Sequence, residues 1–178
     1  SDLGRSYFDQ GDHKNVIVSY DILLEKYPDS DFVAEAKLGI ADSYFRLMDW
    51  SKAIEAYERV IDEHTDAVDF FPYCFYQVGE AYYKLGTDQK NASQVIQATE
   101  SLELALQWYQ KVIDNYPQDH IALHALYGAV KTLDSVGHKV ELENVAREFI
   151  NKAQYSSEFD SLIAEVQLIL EDLLREKK

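Results

Sequence analysis

The strongest constraint on this chain is that it says nearly the same thing more than once. The stretch YPDSDFVAEAKLGIADSYFRLMDWSKAIEAYERVIDE runs from Tyr27 to Glu63, and a similar phrase, FPYCFYQVGEAYYKLG followed by ALQWYQKVIDNYP, returns between Phe71 and Pro117. The small residues Gly4, Ala41 and Gly79 are spaced by 37 and 38 positions, and Tyr20 and Tyr57 by 37. A fixed period of this length marks a unit that cannot bury its own apolar face and must stack on copies of itself.

The unit is helical. Apolar residues recur three and four apart, the period of an α-helix face. Tyr20, Leu23, Leu24 and Tyr27 share one face; Ala53, Ile54, Tyr57, Val60 and Ile61 share another; Ala105, Leu106, Tyr109, Val112, Ile113 and Tyr116 a third. Pro28 and Pro117 follow the first and third of these segments, where proline ends a helix, and Thr65 stands in the equivalent place after the second. Asp29 or Ser30 is then placed to cap the next helix. Before each such segment lies another helix that opens on a small residue, carries Tyr7, Tyr44 or Tyr82 three positions later, and ends in a turn at Gly11-Asp12, Asp49-Trp50 or Gly86. The repeat is therefore a helical hairpin, in which Gly or Ala permits close approach and the aromatic fills the adjoining space.

The pattern is similar to the tetratricopeptide repeat (TPR) family. The resemblance rests on the small residues Gly4, Ala41 and Gly79, the aromatics Tyr7, Tyr44 and Tyr82, the small residues Ala53 and Ala105, the aromatics Tyr20, Tyr57 and Tyr109, and the two prolines. Val16 in place of the second small residue, Thr65 in place of proline and a slightly long period depart from it. The wording of Tyr27 to Tyr44 resembles TPR proteins of the bacterial cell envelope, which include the lipoprotein of the outer-membrane β-barrel assembly machine and the periplasmic partner of the Tol-Pal system. The expected fold is an all-α TPR-type solenoid forming one domain over 1–178. Its repeats fall at about 1–30, 31–66, 70–118 and 119–154, the last keeping Gly137 at its turn but little else, with a capping helix at about 157–176. Ser156 or Ser157 caps that helix, whose stripe is Phe159, Leu162, Ile163, Val166, Ile169, Leu170 and Leu173. The first residues supply only part of a first helix, so further sequence is expected upstream.

The third repeat carries an insertion. Ala53 follows Ala41 by 12 positions, whereas Ala105 follows Gly79 by 26, which is 14 more. The added segment, about 87–100, lacks Gly and Pro, and Ala92, Val95, Ile96, Thr99 and Leu102 continue the face of Tyr109. Either the second helix of this hairpin begins near Asn91 and is long, or two helices meet near Ala98 to Glu100. A protruding helix leaves Val95 and Ile96 either covering the neighbouring hairpin or exposed as a docking ledge.

Composition narrows the function. A formal net charge of −15 argues against nucleic acid or anionic lipid as the main partner, since both need a basic footprint. The single cysteine, Cys74, excludes an internal disulfide and reads as a buried small hydrophobe. No apolar run reaches membrane-spanning length. The sequence has no phosphate-binding glycine loop, no zinc-protease helix and no serine elbow, so no catalytic residue, metal or cofactor is expected. His120 and His124 are four apart on one helix face, but a third ligand is needed, and the adjacent Asp119 points elsewhere. The acidic run Asp62 to Asp69 lacks calcium-loop spacing, and Asn91-Ala92-Ser93 is a glycosylation sequon by pattern only.

What remains is the groove that the resemblance implies. In TPR proteins the first helix of each hairpin lines a concave surface. On this chain that face carries Arg5 and Phe8, with Asp9; then Leu38, Asp42, Phe45 and Arg46; then Tyr73, Tyr76, Glu80, Tyr83 and Lys84; and finally Tyr127 and Lys131. Aromatics beside basic residues are the composition of binding hot spots and suit a peptide that carries a carboxylate. The asparagine–lysine carboxylate clamp of chaperone-binding TPR domains is absent at Arg5, Asp42 and Glu80. The expected role is a non-catalytic scaffold or adaptor for a protein or peptide, in the periplasm or cell envelope. The alternatives are a cytoplasmic regulatory module of a larger protein, or a spacer whose groove is filled by its own chain.

Overall fold

A computed structural model describes residues 11–63 and 68–176. Arg5, Tyr7, Phe8, Asp9 and Thr65, and the first helix expected for the first repeat, lie outside the described residues. Eight α-helices and two short 3-10 turns make up the ordered elements of the described chain, with no strand among them: α1 (His13–Lys26), α2 (Val33–Arg46), α3 (Trp50–Glu63), α4 (Phe71–Asn91), α5 (Val95–Asn115), α6 (Ile121–Val136), α7 (Lys139–Ala153) and α8 (Asp160–Glu176). This is the all-α, TPR-type architecture that the period predicts. The chain divides into two compact units, 1–81 and 82–178.

In the first unit, α1 packs on α2 and α2 on α3. Asp12 starts α1 by accepting the Asn15 amide at 3.3 Å. Ser30 does not cap α2 directly: its hydroxyl accepts the Phe32 amide at 3.3 Å, one position ahead of the helix. Val16, Tyr20, Ala36 and Ile40 are buried together, flanked by Leu23, Leu24 and Tyr44. Gly39, two positions before the buried Ala41, is a point of close approach. A Cβ on Gly39 would stand 2.5 Å from the Tyr20 ring, so only glycine admits the tyrosine there. Four residues on, the buried Ser43 hydroxyl donates to the Gly39 carbonyl at 2.7 Å, which satisfies a polar group inside the packing.

The second unit repeats this device. A Cβ on Gly128 in α6 would stand 2.5 Å from the buried Tyr109 ring in α5, and the Thr132 hydroxyl donates to the Gly128 carbonyl at 2.8 Å. Helix α5 packs on α6, α6 on α7, and α7 on α8. One core joins Leu126, Val130, Leu142, Phe149, Phe159, Val166, Leu170 and Leu173, so α8 covers the apolar face of the last hairpin. Neither serine caps α8: Ser156 precedes a 3-10 turn, Ser157–Phe159, without a side-chain cap bond, and α8 itself begins at Asp160. Gly137 closes α6 with φ +79°, and its amide and that of His138 bond back to Leu133.

The insertion lengthens both helices of its hairpin. Helix α4 does not stop at Gly86 but runs on to Asn91, and α5 starts at Val95. Each has 21 residues, against 14 in α2 and α3. Gly86 is a contact residue instead of a turn residue: a Cβ there would stand 2.8 Å from Leu102 and 3.1 Å from the Ala98 carbonyl oxygen. The turn falls at Ala92 to Gln94, where Ser93 takes φ +62°. Gln89 and Ser101 bridge the lengthened helices by a 2.8 Å hydrogen bond.

Candidate functional site

The residues assigned to the groove divide by unit. In the first unit Leu38, Asp42 and Phe45 on α2, and Tyr73, Tyr76 and Glu80 on α4, are half-buried, and Arg46 is exposed. Asp42 is not a free binding group. Its Oδ1 accepts the Tyr57 hydroxyl at 2.5 Å and the Tyr73 hydroxyl at 2.9 Å. The two tyrosine rings meet edge to face at 6.4 Å. Burial pushes the Asp42 carboxyl above its ordinary range, and the tyrosine hydroxyls and the charges of Arg46 and His13 oppose that shift. The same enclosure, with the Asp42 charge, raises both tyrosines and lifts the buried Cys74 thiol to about 12. Cys74 therefore stays a protonated thiol, with no nucleophilic character at neutral pH. Asp42 is thus a clasp between α2, α3 and α4. Phe45 lies edge-on to Trp50 at 5.2 Å, which leaves Arg46 as the exposed cation of this face.

In the second unit four of the residues assigned to the groove converge. The Lys131 ammonium stands 4.7 Å from the centre of the Tyr83 ring and 4.8 Å from that of Tyr127, and Lys84 stands 5.9 Å from Tyr83. Tyr127 in turn leans on the buried Phe149 ring at 5.8 Å. Cations over ring faces are attracted by the ring quadrupole, which holds them in place. Two ammonium groups bedded on two tyrosines form a local positive, aromatic patch in a chain of net charge −15. Such a patch attracts a carboxylate and offers flat apolar surface beside it.

Val95 and Ile96, at the start of α5, are 67% and 73% exposed. They do not cover a neighbouring hairpin within their unit. A cleft of about 290 Å³ in the first unit carries three cations, Lys37, Lys52 and Arg59, against three anions, Asp21, Glu55 and Glu63. All three cations are already paired, Lys37 with Glu63, Arg59 with Glu55 and Lys52 with Asp49, so the cleft has no net preference for a charged ligand.

His120 and His124 do share a face, as their spacing predicts. Asp119 is occupied elsewhere, accepting the Ile121 amide at 2.9 Å. The carboxylate that joins the histidines is Glu158, which sequence reading missed because it lies 34 positions beyond His124.

Comparison with known proteins follows the same lines. The family model described as YfiO, outer membrane lipoprotein, matches residues 3–146. No curated protein matches the chain. A crystal structure of a Podosopora anserina protein, described as a kinesin light chain with nearly identical TPR-like repeats, is 15% identical and has a TM-score of 0.51. It covers 98% of this chain and 91% of that one. At that identity the likeness shows the TPR-like fold alone. No helix among the described residues is long and apolar enough to cross a membrane.

Proposed function

This chain belongs to the YfiO family of outer membrane lipoproteins, and from that premise we propose that it is a non-catalytic scaffold of the cell envelope. It holds a protein segment on the concave face of its TPR-type hairpins. The observation that carries the reading is the patch of Tyr83, Lys84, Tyr127 and Lys131. It stands on residues that TPR geometry assigns to the groove, and it combines fixed aromatics with positive charge. The segment it suits is extended or helical and bears a carboxylate, from a side chain or a terminus. Leu38, Phe45, Arg46, Tyr76 and Glu80, with Arg5 and Phe8, extend the same assignment, while Asp42 and Tyr73 serve it indirectly by fixing α2 against α4. The exposed pair Val95 and Ile96 is a second docking element, at the tip of the lengthened hairpin. Membership of an envelope assembly complex fits the family description and an acidic, helical chain.

The test is affinity capture from envelope extract with the wild type beside a Lys84→Glu, Lys131→Glu double variant whose circular dichroism matches it. The proposal expects a partner retained by the wild type and lost by the variant. A partner retained equally by both removes binding from this patch.

A further inference from the structure

We infer that His120, His124 and Glu158 form a site for one zinc-class divalent cation, which fastens the start of α6 to the connection between α7 and α8. His124 Nε2 lies 3.3 Å from His120 Nε2, and Glu158 Oε1 lies 3.5 Å from His120 Nε2 and 3.8 Å from His124 Nε2. Ligand atoms about 2.0–2.2 Å from a tetrahedral zinc ion stand about 3.3–3.6 Å from one another. The three edges of this triangle therefore match three edges of a zinc tetrahedron to within a few tenths of an ångström. The fourth corner faces solvent and would take water.

The chemistry of the donors agrees. Two imidazole nitrogens and one carboxylate oxygen converge on one point, and one proton cannot satisfy all three contacts at once. With neutral rings, either both Nε2 atoms carry hydrogens, which serve Glu158 but face each other at 3.3 Å, or one is bare and turns its lone pair towards the carboxylate. With both rings protonated, the two cations meet at 3.3 Å. A divalent ion relieves both conflicts. Imidazole with carboxylate selects zinc and its neighbours over magnesium and calcium.

Sequence and packing fix the triangle. His120 and His124 are one turn apart at the start of α6, with their rings crossed edge to face at 4.9 Å. Glu158 sits in the Ser157–Phe159 turn, and the next residue, Phe159, is 1% exposed in the core. Phe159 also lies 5.1 Å from the His124 ring. The core residue that anchors the turn thus places the carboxylate beside the histidines. The bound ion would cross-link residues far apart in sequence within the second unit, and so oppose unfolding of the last hairpin and α8.

The experiment is calorimetric titration of the untagged, chelator-treated chain with zinc chloride. Thermal unfolding is followed with and without the metal, and cobalt absorption reports coordination. The site predicts one ion per chain, a raised unfolding midpoint and the visible bands of four-coordinate cobalt. His120→Ala and Glu158→Gln, both at exposed positions, should each weaken affinity by at least about tenfold. His138→Ala, at a histidine paired with Glu103, should leave it unchanged. Absence of saturable one-to-one binding overturns the site, as does binding that Glu158→Gln and His120→Ala leave intact.

Discussion

Replacing Asp42 by alanine should destabilise the protein, and replacing it by asparagine should not. The carboxylate accepts two tyrosine hydroxyls, at 2.5 and 2.9 Å. Tyr57 is fully buried, so its hydroxyl has no water to turn to once the acceptor is gone, whereas Tyr73 is half-buried and does. Leaving a buried hydroxyl without a partner costs about 1–3 kcal/mol, and removing the buried charge returns part of that. The expected loss for Asp42→Ala is therefore about 1–3 kcal/mol, carried almost wholly by Tyr57. Asp42→Asn keeps an acceptor oxygen in place and should fall within about 1 kcal/mol of the wild type. The pH dependence separates the two effects. Burial raises the native carboxyl above its ordinary 3.8, so between 3.8 and the native value the folded state holds the extra proton. The associated stability is present below that window and lost as pH rises through the native pKa. The wild type should lose stability relative to Asp42→Asn across that rise. Urea denaturation followed by circular dichroism, at pH 7 and in steps down to pH 4, measures both. The reasoning fails if Asp42→Ala matches Asp42→Asn, or if Tyr57→Phe in the alanine background recovers nothing.

Two further outcomes follow from the packing. Gly128→Ala should lower stability by up to about 2 kcal/mol, because overpacking against the buried Tyr109 ring costs about 1–3 kcal/mol and the gain in helix propensity offsets about 1; a thermal midpoint above the wild type would contradict the close contact. Val95→Asp, at a position 67% exposed, should stay within about 0.5 kcal/mol of the wild type by denaturant titration; loss of helical signal would mean that the tip is covered.

How much of this was legible in advance depends on whether the signal was local. The period of 37–38 and the apolar faces placed Ala53, Tyr57, Ala105 and Tyr109 in the core, and all are buried. The faces could be read because helical spacing is a property of neighbours in sequence. The glycines were harder. Gly86 looked like a turn, since glycine serves both for positive φ and for close approach, and only the position of Leu102 decides which. Gly39, two positions before the small residue Ala41, and Gly128 gave no such signal, because the ring each one admits comes from a different helix, 19 positions earlier. Asp42 read as a groove ligand for the same reason: nothing near it in sequence shows that Tyr57 and Tyr73 reach it. Glu158 is the extreme case, since its partners are brought to it by the packing of Phe159.

The two tyrosine–glycine contacts have a consequence for the order of the hairpins. Tyr20 meets Gly39, and Tyr109 meets Gly128, each 19 positions on. The residue 19 beyond Tyr57 is Tyr76, which offers no such recess, and there the Tyr57 hydroxyl turns to Asp42 instead. A hairpin that ends in one of these tyrosines can be followed only by a hairpin that provides its matching receptacle. Shuffling the hairpins, or grafting one from a relative, would set a ring against a side chain at two junctions and strand a carboxylate at the third. Although its hairpins look interchangeable, the chain specifies its own reading order through the joints.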